Sequence, residues 1–271
     1  FFLGSEGALG ILTEVTVRIK PLPAATEYGA WTFPNFTAGA DAFRELTQRG
    51  IRPTVLRLSD KSETRVNATM GGHLTRIGGC LAIATFEGTP ADAAATLATT
   101  NAVFASHGAK SRGDAPARSW ERGRFGSPTL RDTLLDVGVL AETLETAATW
   151  AQLAEVKAEV TAALTDSLTA SGTKPIIMCH ISHVYPAGAS LYFTVVAALT
   201  TEPAAQWARA KTAASDAIIA AGGTITHHHA VGVDHKPWLR AEIGDLGVAI
   251  LRAVKATVDP KGILNPGKLI P

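Results

Sequence analysis

Three consecutive histidines, His227, His228 and His229, follow a short β-branched run and the pair Gly222-Gly223. A neutral imidazole both gives and takes a proton near pH 7, so such a cluster suits proton handling. Read as the continuation of a strand, the run alternates its side chains: His227 and His229 point one way and His228 the other. A metal site built from His227, His229 and His235 is a second reading, but no Cys or His at zinc-like spacing completes it. Surface decoration is a third, and no metal is assigned. At the other end of the chain stands GSEGALG, with glycines at 4, 7 and 10. It is neither a dinucleotide fingerprint nor a P-loop. Glycines so spaced let the backbone turn tightly and approach a ligand, and their exposed N–H groups can hold a pyrophosphate; an ordinary tight turn is the alternative.

Other candidates lie between these two stretches. Residues 114–150 are rich in arginine and aromatics, with Arg118, Arg122, Arg124, Arg131, Trp120 and Phe125. They form either a solvated basic face or a loop whose Arg fork clamps a phosphate or carboxylate. Arg57 sits in an apolar strand and needs a partner for its charge. Tyr192 lies early in another apolar strand, where a core tyrosine is the default. His180 and His183 flank a hairpin, and alternation allows at most one of them to face a shared cleft.

These residues must be held by a framework. The chain has 271 residues, 46% of them hydrophobic, enough for a sizeable core. Its net charge of +1 and the lack of a Lys/Arg block argue against nucleic acid as a partner. Cys80 and Cys179 read as buried apolar residues in a reducing compartment. No apolar run is long enough to span a bilayer, and a cytoplasmic location is expected, with room for peripheral contact at a membrane. The start at Phe1, without Met, reads as a piece of a longer protein.

Residues 11–20 alternate with period two and predict a strand ended by Pro21 and Pro23, where a domain boundary is placed. Helices are expected over 37–49, 90–107, 144–169, 203–221 and 237–258, and strands over 53–58, 80–87, 175–185, 190–199 and into 227–229. Gly71-Gly72 and Gly78-Gly79 bracket a loop. The order gives an α+β fold, an antiparallel sheet covered by helices, in which two similar units merge. The tail KGILNPGKLIP closes the chain as a turn-rich arm.

GSEGALGILTEVTVRIKPLP resembles the end of the FAD-binding domain of vanillyl-alcohol-oxidase (PCMH-type) flavoproteins, and DPKGILNPGKL their closing arm. RPTVLRLSD, SPTLRD, AGASLYF and HHHAVGVDHKPWL resemble, in order, segments of the alkylglycerone-phosphate synthase family. Hydroxy-acid-oxidising cousins carry Gly-Asp-Gly-Asn…His and Gly-Glu-His-Gly segments where this chain has AGASLY and HHHA. The resemblance implies FAD as cofactor. It divides the chain into the end of a truncated FAD-binding domain (1–23), a substrate cap (24–236), and a helix and arm returning to the flavin domain (237–271). It implies that Glu6, Gly7, Ala8, Leu9, Gly10, Ile11 and Leu12 contact FAD. Arg131 would bind a substrate phosphate and Arg57 would lie near the flavin. Tyr192 would exchange a proton, and His227, His228 and His229 would be required for activity. The implied reaction exchanges the acyl chain of an acyl-dihydroxyacetone phosphate for a fatty alcohol, in ether lipid synthesis. Oxidation of a 2-hydroxy acid or related alcohol is the alternative, and a homodimer is compatible with either. Asn265 would touch the flavin domain or form the turn before Pro266. Ala8 stands where Thr is usual, and Ala230 where Gly is usual, so its methyl crowds a turn.

Overall fold

The computed structural model of the protein describes residues 2–70 and 78–271, so the glycine pair at 71–72 lies outside the described residues. The first half of the fold comprises β1 (Ala25–Phe33), α1 (Phe36–Gln48), β2 (Val55–Ser59), α2 (Lys61–Met70), β3 (Cys80–Gly88), α3 (Pro90–Ser106) and β4 (Lys110–Ser111). Two short helices, α4 (Ala115–Gly123) and α5 (Ser127–Asp136), lead into the second half. That half comprises β5 (Val139–Thr149), α6 (Leu153–Ala170), β6 (Ile176–Ile181), β7 (Gly188–Ala198) and α7 (Pro203–Ala220), and α8 (Lys236–Val258) follows. The seven strands make one sheet in the order β4-β1-β3-β2-β6-β7-β5, and its pairings are antiparallel. The expected α+β class and the merged sheet are both present. The join between halves is narrow: β2 and β6 pair only as Leu58 with Ile181 and Ser59 with His180.

Local sequence explains most elements. Asn35 caps α1 by accepting from the Ala38 N–H at 2.8 Å, and Thr89 does the same for α3 ahead of Pro90. The buried face of α6 is Leu153, Val156, Val160, Leu164 and Leu168, a stripe at helical spacing. It packs on the sheet against alternate residues of β7, including Leu191, Phe193 and Val195. In the first half Phe104 is the hub, with the Trp31, Phe33 and Phe43 rings centred 4.9, 5.1 and 5.7 Å away.

Four expectations are corrected. Residues 11–20 form no strand; Ile11 and Ile19 are 78% and 85% exposed. A strand persists only with a ladder partner for its N–H and C=O groups, and none is offered among the described residues. The helix expected from 144 begins at Leu153, because every residue from Val139 to Thr149 pairs with β7. Alanine and glutamate favour helix, but this long pairing overrides them. The strand expected to run into the histidines does not form. Finally, α8 is broken at Gly244, whose φ of 72° no helix accommodates.

Candidate functional site

One face of the sheet packs on α6 and α7. In the second half the other face carries polar side chains in a row set by strand register. Glu145 on β5 pairs with Tyr192 on β7, and Tyr192 pairs with His180 on β6. Cross-strand partners point to the same face, so three remote positions become neighbours. The His180 ring stacks on Tyr192 at 4.8 Å, 17° from parallel. The histidine loop completes the row. The Thr224 N–H donates to the Ala147 carbonyl at 2.9 Å, and the Ile225 N–H donates to Glu242 Oε2 on α8 at 2.7 Å.

Released from strand geometry, the three histidines converge. All of them reach Glu145, whose side chain is 3% exposed. His227 Nδ1 lies 3.3 Å and His228 Nδ1 3.7 Å from its oxygens, and His229 Nε2 lies 4.0 Å away. His183 joins at 3.9 Å. The expected split of the three onto opposite faces is therefore wrong. So is the limit of one among His180 and His183: β6 ends at Ile181, and beyond it alternation no longer governs His183. The His229 ring meets the edge of Tyr192 at 5.2 Å, and Tyr185 Oη lies 2.9 Å from His227 Nε2. The Tyr192 hydroxyl has no hydrogen-bond partner among the described residues. Burial holds the His183 imidazole below its ordinary value, assisted by His228 and opposed by Glu145. Burial does the same at His229, again opposed by Glu145. Both are thereby kept in the form that accepts a proton.

Beyond His180 the row continues into a buried ionic trio. Arg57 on β2 donates to Glu63 Oε1 at 2.8 Å and to His180 Nε2 at 3.0 Å. His180 Nδ1 then carries the proton and donates to Glu63 Oε1 at 3.0 Å. Burial pushes the Glu63 carboxyl up, but the Arg57 charge and the His180 hydrogen bond more than offset this and leave it at about 2. Its second oxygen, Oε2, is buried with no hydrogen-bond partner among the described residues. Arg57 thus has the partner its charge requires.

The glycine turn reaches the histidine loop from the other side. Glu6, at φ 54°, accepts from the Val231 and Gly232 N–H groups, both at 2.7 Å. Asn265 Nδ2 donates to the Glu6 carbonyl, and Gly7 lies against the Asn265 side chain. Lys255 Nζ donates to the Ala8 carbonyl at 2.7 Å, to the Leu264 carbonyl at 2.6 Å and to Asp259 at 2.6 Å. Ala8 and Leu9 are buried, Ala8 against Leu239 and Leu269, Gly10 is half-buried, and Ile11 and Leu12 are exposed. Asn265 therefore touches the glycine turn. Ala230 has a φ of 66°, the left-handed region where its methyl costs energy. A cleft of about 620 Å³ opens beside His229, lined by Lys211, His235 and Lys268.

Two candidates fall outside this assembly. Arg131, on α5, pairs with Glu142 at 2.6 Å. Glu142 lies opposite core residue Val195, on the other face of β5 from Glu145, so the structure does not bring Arg131 to the histidines. His235 Nδ1 donates to the Ala230 carbonyl at 2.7 Å, which dissolves the set His227, His229 and His235. Two central residues, Glu145 and Glu63, were missed. Glu145 lies in the stretch read as helix. Glu63 had a signal: Asp60 accepts from the Glu63 N–H at 2.9 Å, the Asp-x-x-Glu pattern of a helix start.

Comparison with known proteins places these features in a wider group. The family model described as FAD linked oxidases, C-terminal domain, matches residues 22–269. The alkyldihydroxyacetonephosphate synthase of Trypanosoma brucei brucei is 31% identical over 294 residues, covering 100% of this chain and 48% of that protein. The enzyme of the same name from Dictyostelium discoideum is 31% identical over 291 residues, covering 99% and 48%. A solved structure of an alkyldihydroxyacetonephosphate synthase superposes with a TM-score of 0.76 at 27% identity, over 97% of this chain and 48% of that one. The chain thus spans about half the length of the relatives it matches. Among the described residues no helix is long and apolar enough to cross a membrane.

Proposed function

The chain belongs to the FAD-linked oxidases through their C-terminal domain, and from that premise we propose that it is the substrate-binding half of a flavoenzyme that exchanges the acyl group of acyl-dihydroxyacetone phosphate for a fatty alcohol. The observation that carries this reading is the row His180–Tyr192–His229, with Glu145 beneath the histidine loop. A proton beside a carbonyl must be removed and returned, and a free phenol flanked by neutral imidazoles suits that task.

The residues present fit a flavin. The Arg57 Nε–H has no partner among the described residues, and it suits a carbonyl or ring nitrogen at the edge of an isoalloxazine. FAD, when bound, would supply an electron sink that acidifies the neighbouring carbon. Tyr192 Oη is the group assigned to take that proton, as a phenolate whose own proton has first passed to a neutral imidazole of the histidine cluster. His229 steadies the phenol from its edge, and His180 supports it from below, fixed in one tautomer by Arg57 and Glu63. Glu145 holds His227, His228 and His229 together so that a proton can pass among them. The resemblance assigns Arg131 to the substrate phosphate; paired with Glu142 on the other face of β5 from Glu145, it would have to leave that partner and move toward the histidine loop to serve there.

The test uses the full-length protein. Palmitoyl-dihydroxyacetone phosphate is expected to change the flavin spectrum under anaerobic conditions. Hexadecanol is then expected to reverse the change, with ether product and no added electron acceptor. Tyr192→Phe is expected to abolish turnover with FAD retained. Normal turnover in that variant removes Tyr192 from its role. Bleaching by a small hydroxy acid, with no response to the lipid, would make the protein an FAD-linked dehydrogenase instead.

A further inference from the structure

Glu145, His183, His227 and His228 come from three separate segments: strand β5, the turn after β6, and the histidine loop. Each offers one ligand atom, and the four atoms lie within 4.8 Å of one another. Three imidazole nitrogens and one carboxylate oxygen are the donor set of a tetrahedral zinc-type site. We propose that these four residues bind one divalent transition-metal ion of the Zn2+ class, and that its occupation withdraws the histidine loop from proton handling.

The geometry is near what such an ion requires. Bonds of about 2.0–2.1 Å place tetrahedral donors roughly 3.3–3.4 Å apart. His227 Nδ1 and Glu145 Oε1 already stand at 3.3 Å. His183 Nδ1 is 3.9 Å from that same oxygen, whereas His228 Nδ1 is 3.7 Å from the other one, Oε2; with the donor atoms spread within 4.8 Å, His228 and His183 must move in by up to about 1.5 Å. They are the two free to do so: their side chains are 52% and 47% exposed, against 3% for Glu145 and 13% for His227. Half of the site is buried and half is exposed, with the exposed half facing solvent, from which an ion enters. The surroundings also suit ligation. Tyr185 Oη can accept from His227 Nε2–H at 2.9 Å, which turns the Nδ1 lone pair toward the carboxylate, as outer partners of metal-bound histidines do. Ser182 Oγ, now 3.1 Å from His183 Nδ1, has an alternative partner in Ser190 Oγ at 3.3 Å. His229 is not a ligand, because its ring is turned to Tyr192.

The site stands on its own geometry; its inhibitory consequence rests on the function proposed above. A ligated Nδ1 has no lone pair left to take a proton, and the ion would pin the loop to β5. The test treats full-length holoenzyme with chelator, dialyses it, and titrates it with Zn2+ by calorimetry and with Co2+ by visible absorption. One equivalent per chain is expected, with the d–d bands of tetrahedral cobalt. Glu145→Gln and His183→Ala are each expected to weaken binding at least about tenfold. His183 is a half-exposed turn residue, so its variant keeps the fold, which the bound-flavin spectrum checks. No stoichiometric binding, or binding unaltered by both substitutions, overturns the site. Zn2+ is expected to inhibit acyl exchange with a midpoint matching the calorimetric affinity. Stoichiometric binding with full acyl exchange overturns the inhibitory role. A protein that binds Zn2+ but shows no acyl exchange in its absence upholds the site and overturns the proposed function.

Discussion

Replacing Arg57 by Leu should destabilise the protein and reverse the way Glu63 responds to pH. The Glu63 side chain is 7% exposed, and its carboxyl is held at about 2 instead of 4.5. At about 1.36 kcal/mol per pH unit, that difference amounts to roughly 3 kcal/mol of stability at neutral pH. A carboxyl whose folded-state value is depressed contributes fully above 4.5 and loses its contribution as pH falls toward 2. Without Arg57, burial becomes the dominant influence and raises the carboxyl above its unfolded value. Glu63 then favours the folded state at low pH and opposes it as pH rises. Breaking a buried pair typically costs about 3–5 kcal/mol, which agrees with the figure from the carboxyl. Urea unfolding at pH 7 and pH 5, followed by the fluorescence of buried Trp31, measures both effects. R57L should unfold at lower urea, and its deficit should shrink at pH 5. The double variant R57L/E63Q removes the stranded charge and should recover part of the loss. A midpoint for R57L equal to that of the native protein, or a coupling energy below about 1 kcal/mol in the double-mutant cycle, would refute the reasoning.

Three other outcomes follow from contacts already described. Glu6→Ala removes a carboxylate from two backbone N–H groups at 2.7 Å; it should cost about 2–3 kcal/mol and accelerate hydrogen exchange at Val231 and Gly232, and unchanged exchange would contradict the contact. Ala230→Gly relieves a methyl at φ 66° but frees the unfolded chain, so the net gain should be roughly 0.5–1 kcal/mol, seen as a higher thermal midpoint; a lower one argues against strain at this position. Phe104→Ala empties the centre of an aromatic cluster formed with Trp31, Phe33 and Phe43 and should cost about 3–5 kcal/mol, measured by urea unfolding; a cost under about 1 kcal/mol would place the core elsewhere.

Much of the fold was legible because its signals are local. The caps at Asn35 and Thr89 fix α1 and α3 within about a residue of where periodicity puts them, and the stripe on α6 fixes its end but not its start. β5 was illegible for the opposite reason. Its residues favour helix, and only pairing with β7 makes them a strand. Glu145 went unseen with it, and so did the convergence of four histidines, since convergence is a property of register and loop path. The histidines themselves stood out by repetition. The ends of the chain were legible as a resemblance, but their mutual contact through Glu6, Asn265 and Lys255 is a property of the folded chain. Arg131 was legible as a cation, but its place opposite Glu142 was not.

The narrow join between β2 and β6 has a kinetic consequence. Each half of the sheet can gather most of its contacts from chain segments close in sequence, whereas the join brings together residues more than a hundred positions apart. Such distant closures come late in folding and reopen early. Arg57 and Glu63 belong to one half and His180 to the other, so the trio beneath Tyr192 cannot exist until the halves have docked. Any excursion that parts them disassembles the site where the two halves share one hydrophobic cluster, before the strands within either half separate. Loss of activity on mild heating should therefore precede loss of secondary structure, with the site serving as a reporter of docking between the two halves.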